Sequence, residues 1–107
     1  MTINDGTIDI TASDDGINTA GEKMELNGGY IHILAGGDGV DSNGDLTING
    51  GEIYIDGPSD NGNSAIDYGD RSSAYVNGGT LVAIGSSGMA EVMSGFFQQK
   101  VLMVKLG

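Results

Sequence analysis

The sequence predicts an all-β chain folded as a right-handed parallel β-helix, a solenoid of about four coils of 22–28 residues closed by a C-terminal capping strand. Three observations lead there. Glycine makes up 20 of 107 residues, far above the ~7 % of an average protein. The triplet Asn-Gly-Gly recurs at Asn27, Asn49 and Asn77, with a variant at Asn4-Asp5-Gly6, giving intervals of 23, 22 and 28 residues. On both sides of each triplet, apolar and polar residues alternate as in half-buried strands. A single Pro excludes collagen, and so many glycines would dissolve a long helix at about 1 kcal/mol each.

The elements follow in order. A short strand precedes each triplet: Met1-Thr2-Ile3, Met24-Glu25-Leu26, Leu46-Thr47-Ile48 and Ala74-Tyr75-Val76. A second follows it: Thr7-Ile8-Asp9-Ile10, Tyr30-Ile31-His32-Ile33, Glu52-Ile53-Tyr54-Ile55 and Thr80-Leu81-Val82-Ala83. A third lies between: Asp15-Gly16-Ile17-Asn18, Asp38-Gly39-Val40-Asp41 and Ser64-Ala65-Ile66-Asp67. Three strands and three turns in some 22 residues are the content of one β-helical coil. Side chains alternate across a strand, so stacking predicts the inward ladders Ile8/Ile31/Ile53/Leu81, Ile10/Ile33/Ile55/Ala83, Ile3/Leu26/Ile48/Val76 and Ile17/Val40/Ile66. Each buried aliphatic side chain contributes about 1.5–3 kcal/mol, and no single coil could bury its own. The Gly-Gly pairs are expected in turns needing positive φ, and parallel crossovers are right-handed.

Some segments depart from the repeat. The third repeat carries extra residues within Gly57–Asn63 and Gly69–Ser73, expected as loops on one side of the stack. Ser86-Ser87-Gly88-Met89-Ala90-Glu91 keeps the third register weakly. Phe96-Phe97 and Val101–Leu106 form an apolar close without a triplet. Residues 1–91 are thus expected as coils and 92–107 as a cap or closing strand of the same domain. Met1 falls on an inward position in mid-repeat, so an uncapped first coil is expected, either cut from a longer solenoid or open to end-to-end self-association.

Charge narrows the partners. Fifteen acids against four basic residues leave a net charge of −11, which disfavours nucleic acid and anionic membrane surfaces. No apolar run reaches the ~18 residues of a membrane span. Without cysteine there is no disulfide scaffold, thiolate metal site or thiol nucleophile. Eleven of the acids are Asp, joined by eight Asn; both are turn formers and hard oxygen ligands. Stacking puts Asp15, Asp38 and Ser64 at one position and Asn18, Asp41 and Asp67 at another, ~4.8 Å apart from coil to coil. Carboxylates so placed repel one another, and a calcium ion would convert the repulsion into ligation, with Asp14 and Asn43 completing the shell. Unliganded Asx turns are the alternative reading. Gly36-Gly37-Asp38-Gly39-Val40-Asp41-Ser42 also fits a calcium-binding nonapeptide, but only once, and Asn43 stands at its apolar position.

On the outward side, Tyr30, His32 and Tyr54 share one face, as a saccharide platform or as ordinary strand-surface aromatics. Tyr68 belongs to the acidic turn and Tyr75 to another face. Of the cations Lys23, Arg71, Lys100 and Lys105, only Arg71 lies in a loop that could approach the acidic turn as an eliminating base.

The stretches Asp14–Asn18, Gly29–Ile33, Gly37–Gly44, Asn61–Tyr68 and Gly78–Ala90 together resemble the carbohydrate-binding, polysaccharide-lyase-like parallel β-helix family of bacterial surface proteins. Gly85-Ser86-Ser87-Gly88-Met89-Ala90 is the most specific part of a resemblance running over about residues 4–91. It implies an extracellular or cell-surface, calcium-bearing β-helix that binds plant cell-wall polysaccharides, acidic ones included. Members are longer, and this chain looks like their C-terminal coils. The expected function is therefore non-catalytic, calcium-stabilised polysaccharide binding. A purely structural, adhesin-like or self-assembling solenoid is the alternative, and a lyase a weaker one.

Overall fold

The computed structural model describes residues 1–58, 63–68, 72–86 and 100–106. Within them the chain is all-β: β1 (Thr2–Ile3), β2 (Thr7–Ala12), β3 (Ile17–Thr19), β4 (Met24–Leu26), β5 (Tyr30–Ala35), β6 (Val40–Ser42), β7 (Leu46–Ile48), β8 (Glu52–Asp56), β9 (Ile66–Tyr68), β10 (Ala74–Val76), β11 (Thr80–Ser86) and β12 (Lys100–Leu106). Every strand pairing is parallel, each strand with its counterpart one repeat away. Three sheets result, ordered β1-β4-β7-β10, β2-β5-β8-β11-β12 and β3-β6-β9; strands β1 to β11 visit them in turn, and β12 joins the sheet of β11.

The register is the one that alternation demands. Ile8, Ile31, Ile53 and Leu81 stand in one row, and Ile10, Ile33, Ile55 and Ala83 in the next but one. Ile3, Leu26, Ile48 and Val76 form a third row and Ile17, Val40 and Ile66 a fourth. Met24, Leu46 and Ala74 add a fifth. These rows meet in one core in which Ile31, Ile33, Met24, Leu46, Val76 and Leu81 are fully buried.

The triplets divide their labour in a way the alternation alone does not reveal. The second glycine takes positive φ, 87° at Gly51 for example. The first is ordinary in φ but crowded: a Cβ on Gly50 would lie 2.7 Å from the Asn27 carbonyl oxygen of the preceding repeat. So only one glycine of each pair answers the expectation of positive φ, and the other answers to close backbone approach. The asparagines stack into a ladder along the turn. Asn27, Asn49 and Asn77 each donate Nδ2–H to the Oδ1 of the preceding rung, at 3.0, 2.7 and 3.0 Å. Asn49 is a middle rung and makes two such bonds. At about 0.5–1.5 kcal/mol each, Asn49→Ala is expected to cost about 1–2 kcal/mol and Asn77→Ala about half as much. Urea midpoints at unchanged m-value would measure both.

The strands of the five-stranded sheet run longer than the four-residue alternation suggests, with β2 and β5 each reaching six residues. Ser86, expected in the third register, is instead the last residue of β11. The last strand, β12, adds to β11 in parallel from Thr80↔Lys100 to Ser86↔Leu106. Phe96-Phe97, the stretch Ser87–Glu91, Arg71 and much of the two expected loops lie outside the described residues.

Candidate functional site

Two surfaces gather chemically capable side chains. The first is the turn entering β3, β6 and β9. Here Asp15 and Asp38 occupy equivalent positions, and each spends one carboxylate oxygen on the next repeat's backbone. Asp15 Oδ1 accepts the Asp38 N–H at 2.8 Å, and Asp38 Oδ1 accepts the Ser64 N–H at 2.7 Å. These bonds fix the carboxylates in the sheet. Asn18, Asp41 and Asp67 line the neighbouring row in strict register. Asn18 Nδ2 donates to Asp41 Oδ2 at 2.8 Å and to Asp15 Oδ2 at 3.1 Å, bridging the two rows.

The outcome is a group of three carboxylates, Asp15, Asp38 and Asp41, each offering one oxygen that lies within 4.8 Å of the other two. A cation held at 2.3–2.6 Å sets ligands on its opposite sides about 4.6–5.2 Å apart, so the spacing and the all-oxygen donor set fit a hard divalent ion. Room for the carboxylates depends on Gly37, where a Cβ would lie 2.6 Å from both Asp14 Oδ1 and Asp15 Oδ1. Burial and mutual repulsion act together on the group. Desolvation first, then the charges of Asp38, Asp15 and Asp67, push the Asp41 carboxyl up to about 6. Asp38 is also raised, chiefly by burial, although the Ser64 N–H pulls the other way.

Of the seven residues expected as ligands, the structure gathers Asp15, Asp38 and Asp41, with Asn18 between them and Asp67 next in register. Asp14 is exposed beside Gly37. Asn43 is placed differently: its Nδ2–H donates to the Thr19 carbonyl at 2.6 Å, bracing the neighbouring turn.

The second surface is the outward face of the five-stranded sheet. Its columns read Thr7/Tyr30/Glu52/Thr80, Asp9/His32/Tyr54/Val82 and Thr11/Leu34/Asp56/Ile84. Tyr30 and Tyr54 are diagonal neighbours with ring centroids 5.6 Å apart and planes tilted by 44°. His32 lies next to Tyr54 in register, its Nδ1 3.2 Å from Asp9 Oδ1. All three residues expected as a sugar platform thus share one face. Beside them opens a pocket of about 260 Å³ lined by His32, Tyr54, Ile55, Asp56, Val82 and Ile84. Asp56 and Ile84 escape the sequence reading because they lie beyond its four-residue strands. The signal was nonetheless present, since both continue the outward parity of Tyr54 and Val82. Apolar walls with a few polar groups at the rim are the usual make-up of a small-molecule site, and exposed rings add flat faces for the C–H surface of a pyranose.

Residues 1–98 match a family described as carbohydrate-binding domain-containing protein. No curated protein and no solved structure matches the chain.

Proposed function

The chain belongs to the carbohydrate-binding domain-containing family, and on that premise we propose that it binds polysaccharide, without catalysis, on the outward face bearing Tyr30, His32 and Tyr54. The observation that carries this reading is the tyrosine pair at 5.6 Å next to the 260 Å³ pocket. The rings offer stacking, while His32, Glu52 and Asp56 offer hydroxyl partners. Binding rather than bond cleavage is supported by the family description.

In the same proposal the three sheets are the walls of a right-handed parallel β-helix. Its support is the cyclic visiting order of the strands and the strong preference for right-handed parallel crossovers. Calcium occupies the acidic turn, held by Asp15, Asp38 and Asp41 with Asn18, Asp67 and Asp14 around them. Three carboxylates on an open turn suit the weak class of calcium site, with dissociation constants of about 10⁻⁴–10⁻³ M, which fills outside cells. We therefore place the protein outside the cell or on its surface.

Affinity electrophoresis against soluble plant cell-wall polysaccharides tests the binding reading. Retardation is expected for the native chain. Tyr54→Ala and Tyr30→Ala are each expected to weaken it about 10-fold, through lost stacking and apolar contact. A chain that runs unretarded in every polysaccharide overturns the reading.

A further inference from the structure

Straight paths across the outward face through Tyr54 differ in what they offer a sugar chain. Along β8 the outward neighbours of Tyr54 are Glu52 and Asp56, an acid on either side. Across the strands its column reads Asp9/His32/Tyr54/Val82, and Asp9 holds His32 Nδ1 at 3.2 Å. One diagonal reads Leu34/Tyr54/Thr80 and carries a single ring. The other reads Tyr30/Tyr54/Ile84, two rings followed by an aliphatic side chain. On it the rings lie 5.6 Å apart, and Tyr54 and Ile84 both line the pocket.

Size decides how much of a chain this diagonal can hold. Tyr30 and Ile84 are two strands and four residues apart in register, about 16 Å at the usual strand spacing and rise. Built from bonds of about 1.5 Å, a pyranose with its linkage advances roughly 5 Å, so the diagonal spans about three to four rings. The 5.6 Å between the tyrosine rings is close to one such advance, which lets consecutive sugars stack on them. We propose that a polysaccharide lies along this diagonal, from Tyr30 over Tyr54 into the pocket against Ile84, and that the site reads a stretch of about three to four rings. His32 and Asp56 flank the line on one side, Glu52 and Val82 on the other. With Nδ1 spent on Asp9, His32 keeps Nε2 for a sugar hydroxyl. The proposal rests on the polysaccharide-binding reading above and adds to it the path of the chain, with Ile84 as its third contact.

The experiment is an NMR titration of the full chain with oligogalacturonides and with cello-oligosaccharides, each from dimer to hexamer. In a series that binds, affinity is expected to rise about 10-fold or more from dimer to tetramer, since each added ring gains a stacking or pocket contact. Backbone amide shifts should be largest at Tyr30, Tyr54 and Ile84 and small at Leu34 and Thr80; this readout needs no variant to fold. Ile84→Ala should weaken tetramer binding about 5-fold through lost apolar contact and leave the dimer within about 2-fold, because both tyrosines remain. Leu34→Ala, on the other diagonal, should leave dimer and tetramer within about 2-fold. Equal affinity for dimer and tetramer, or a loss from Leu34→Ala as large as that from Ile84→Ala, overturns the diagonal while polysaccharide binding stands. A chain retarded in gels by polygalacturonate or hydroxyethyl cellulose, yet unmoved by the matching hexamer, overturns the diagonal as well. If no oligomer binds and no polysaccharide retards the chain, both readings fall.

Discussion

Ile33→Ala is expected to destabilise the fold by about 2–5 kcal/mol, and the adjacent Leu34→Ala by less than about 1 kcal/mol. The two residues are neighbours on β5 and point to opposite faces. Ile33 is fully buried in the row Ile10/Ile33/Ile55/Ala83, whereas Leu34 is 44 % exposed. Truncating a buried isoleucine loses its transfer free energy and leaves a cavity. Relaxation into that cavity is restricted here, because neighbouring repeats are locked in hydrogen-bonded register on both sides of β5. A Cβ on Gly16 would already meet Ile33 Cγ2 at 2.5 Å, so that side chain fills space left by a glycine. Against a total stability of 5–15 kcal/mol for a typical domain, the loss is a large fraction. Urea midpoints of the two variants measure it; equal losses would mean that the alternation is assigned to the wrong faces.

Calcium is expected to raise the melting temperature at pH 7.5 and to do so far less at pH 5. A ligand at 100 times its dissociation constant adds about 2.7 kcal/mol, which for a domain of this size is a shift of roughly 10–20 °C. The pH dependence has the opposite sign in chelator. Asp41 titrates near 6 in the folded chain, above the usual 3.8 of an aspartate. Its contribution is therefore fully present below about pH 3.8, where both states hold the proton, and is lost as pH rises through about 6. Asp38 is raised as well and acts in the same direction. The calcium-free chain should thus lose stability between pH 5 and 7.5, and calcium should restore it by neutralising the cluster. Asp41→Asn separates the two effects: it should stabilise the calcium-free chain at pH 7.5 yet abolish most of the response to calcium. A melting temperature indifferent to calcium at pH 7.5 would remove the ion from the acidic turn.

The legible and illegible parts of this protein differ for a physical reason. Strand alternation has a period of two and the repeat a period near 22, and together they place Ile31 over Ile8 and Asp41 over Asn18 without reference to anything distant. The Tyr30–His32–Tyr54 strip follows from the same arithmetic. Gly50 was harder to read, because sequence shows a glycine but not whether φ or crowding requires it. Asn43 has the residue type of a ligand and the right neighbourhood in the chain, yet its amide is taken by Thr19, 24 residues away. Asp56 and Ile84 depended on how far β8 and β11 extend, which local alternation leaves open at the strand ends.

The sequence by itself determined the all-β class, the parallel register, the inward rows and the residues that would meet at the acidic turn, since each follows from covalent spacing and side-chain alternation. Only the tertiary structure decided which carboxylate oxygens are spent on backbone N–H groups, how closely the three acids approach, and that a pocket opens beside the tyrosines. Those are matters of distances between repeats. They depend on how closely one backbone can lie on the next, as at Gly16, Gly37 and Gly50, and no pattern within a single repeat encodes that.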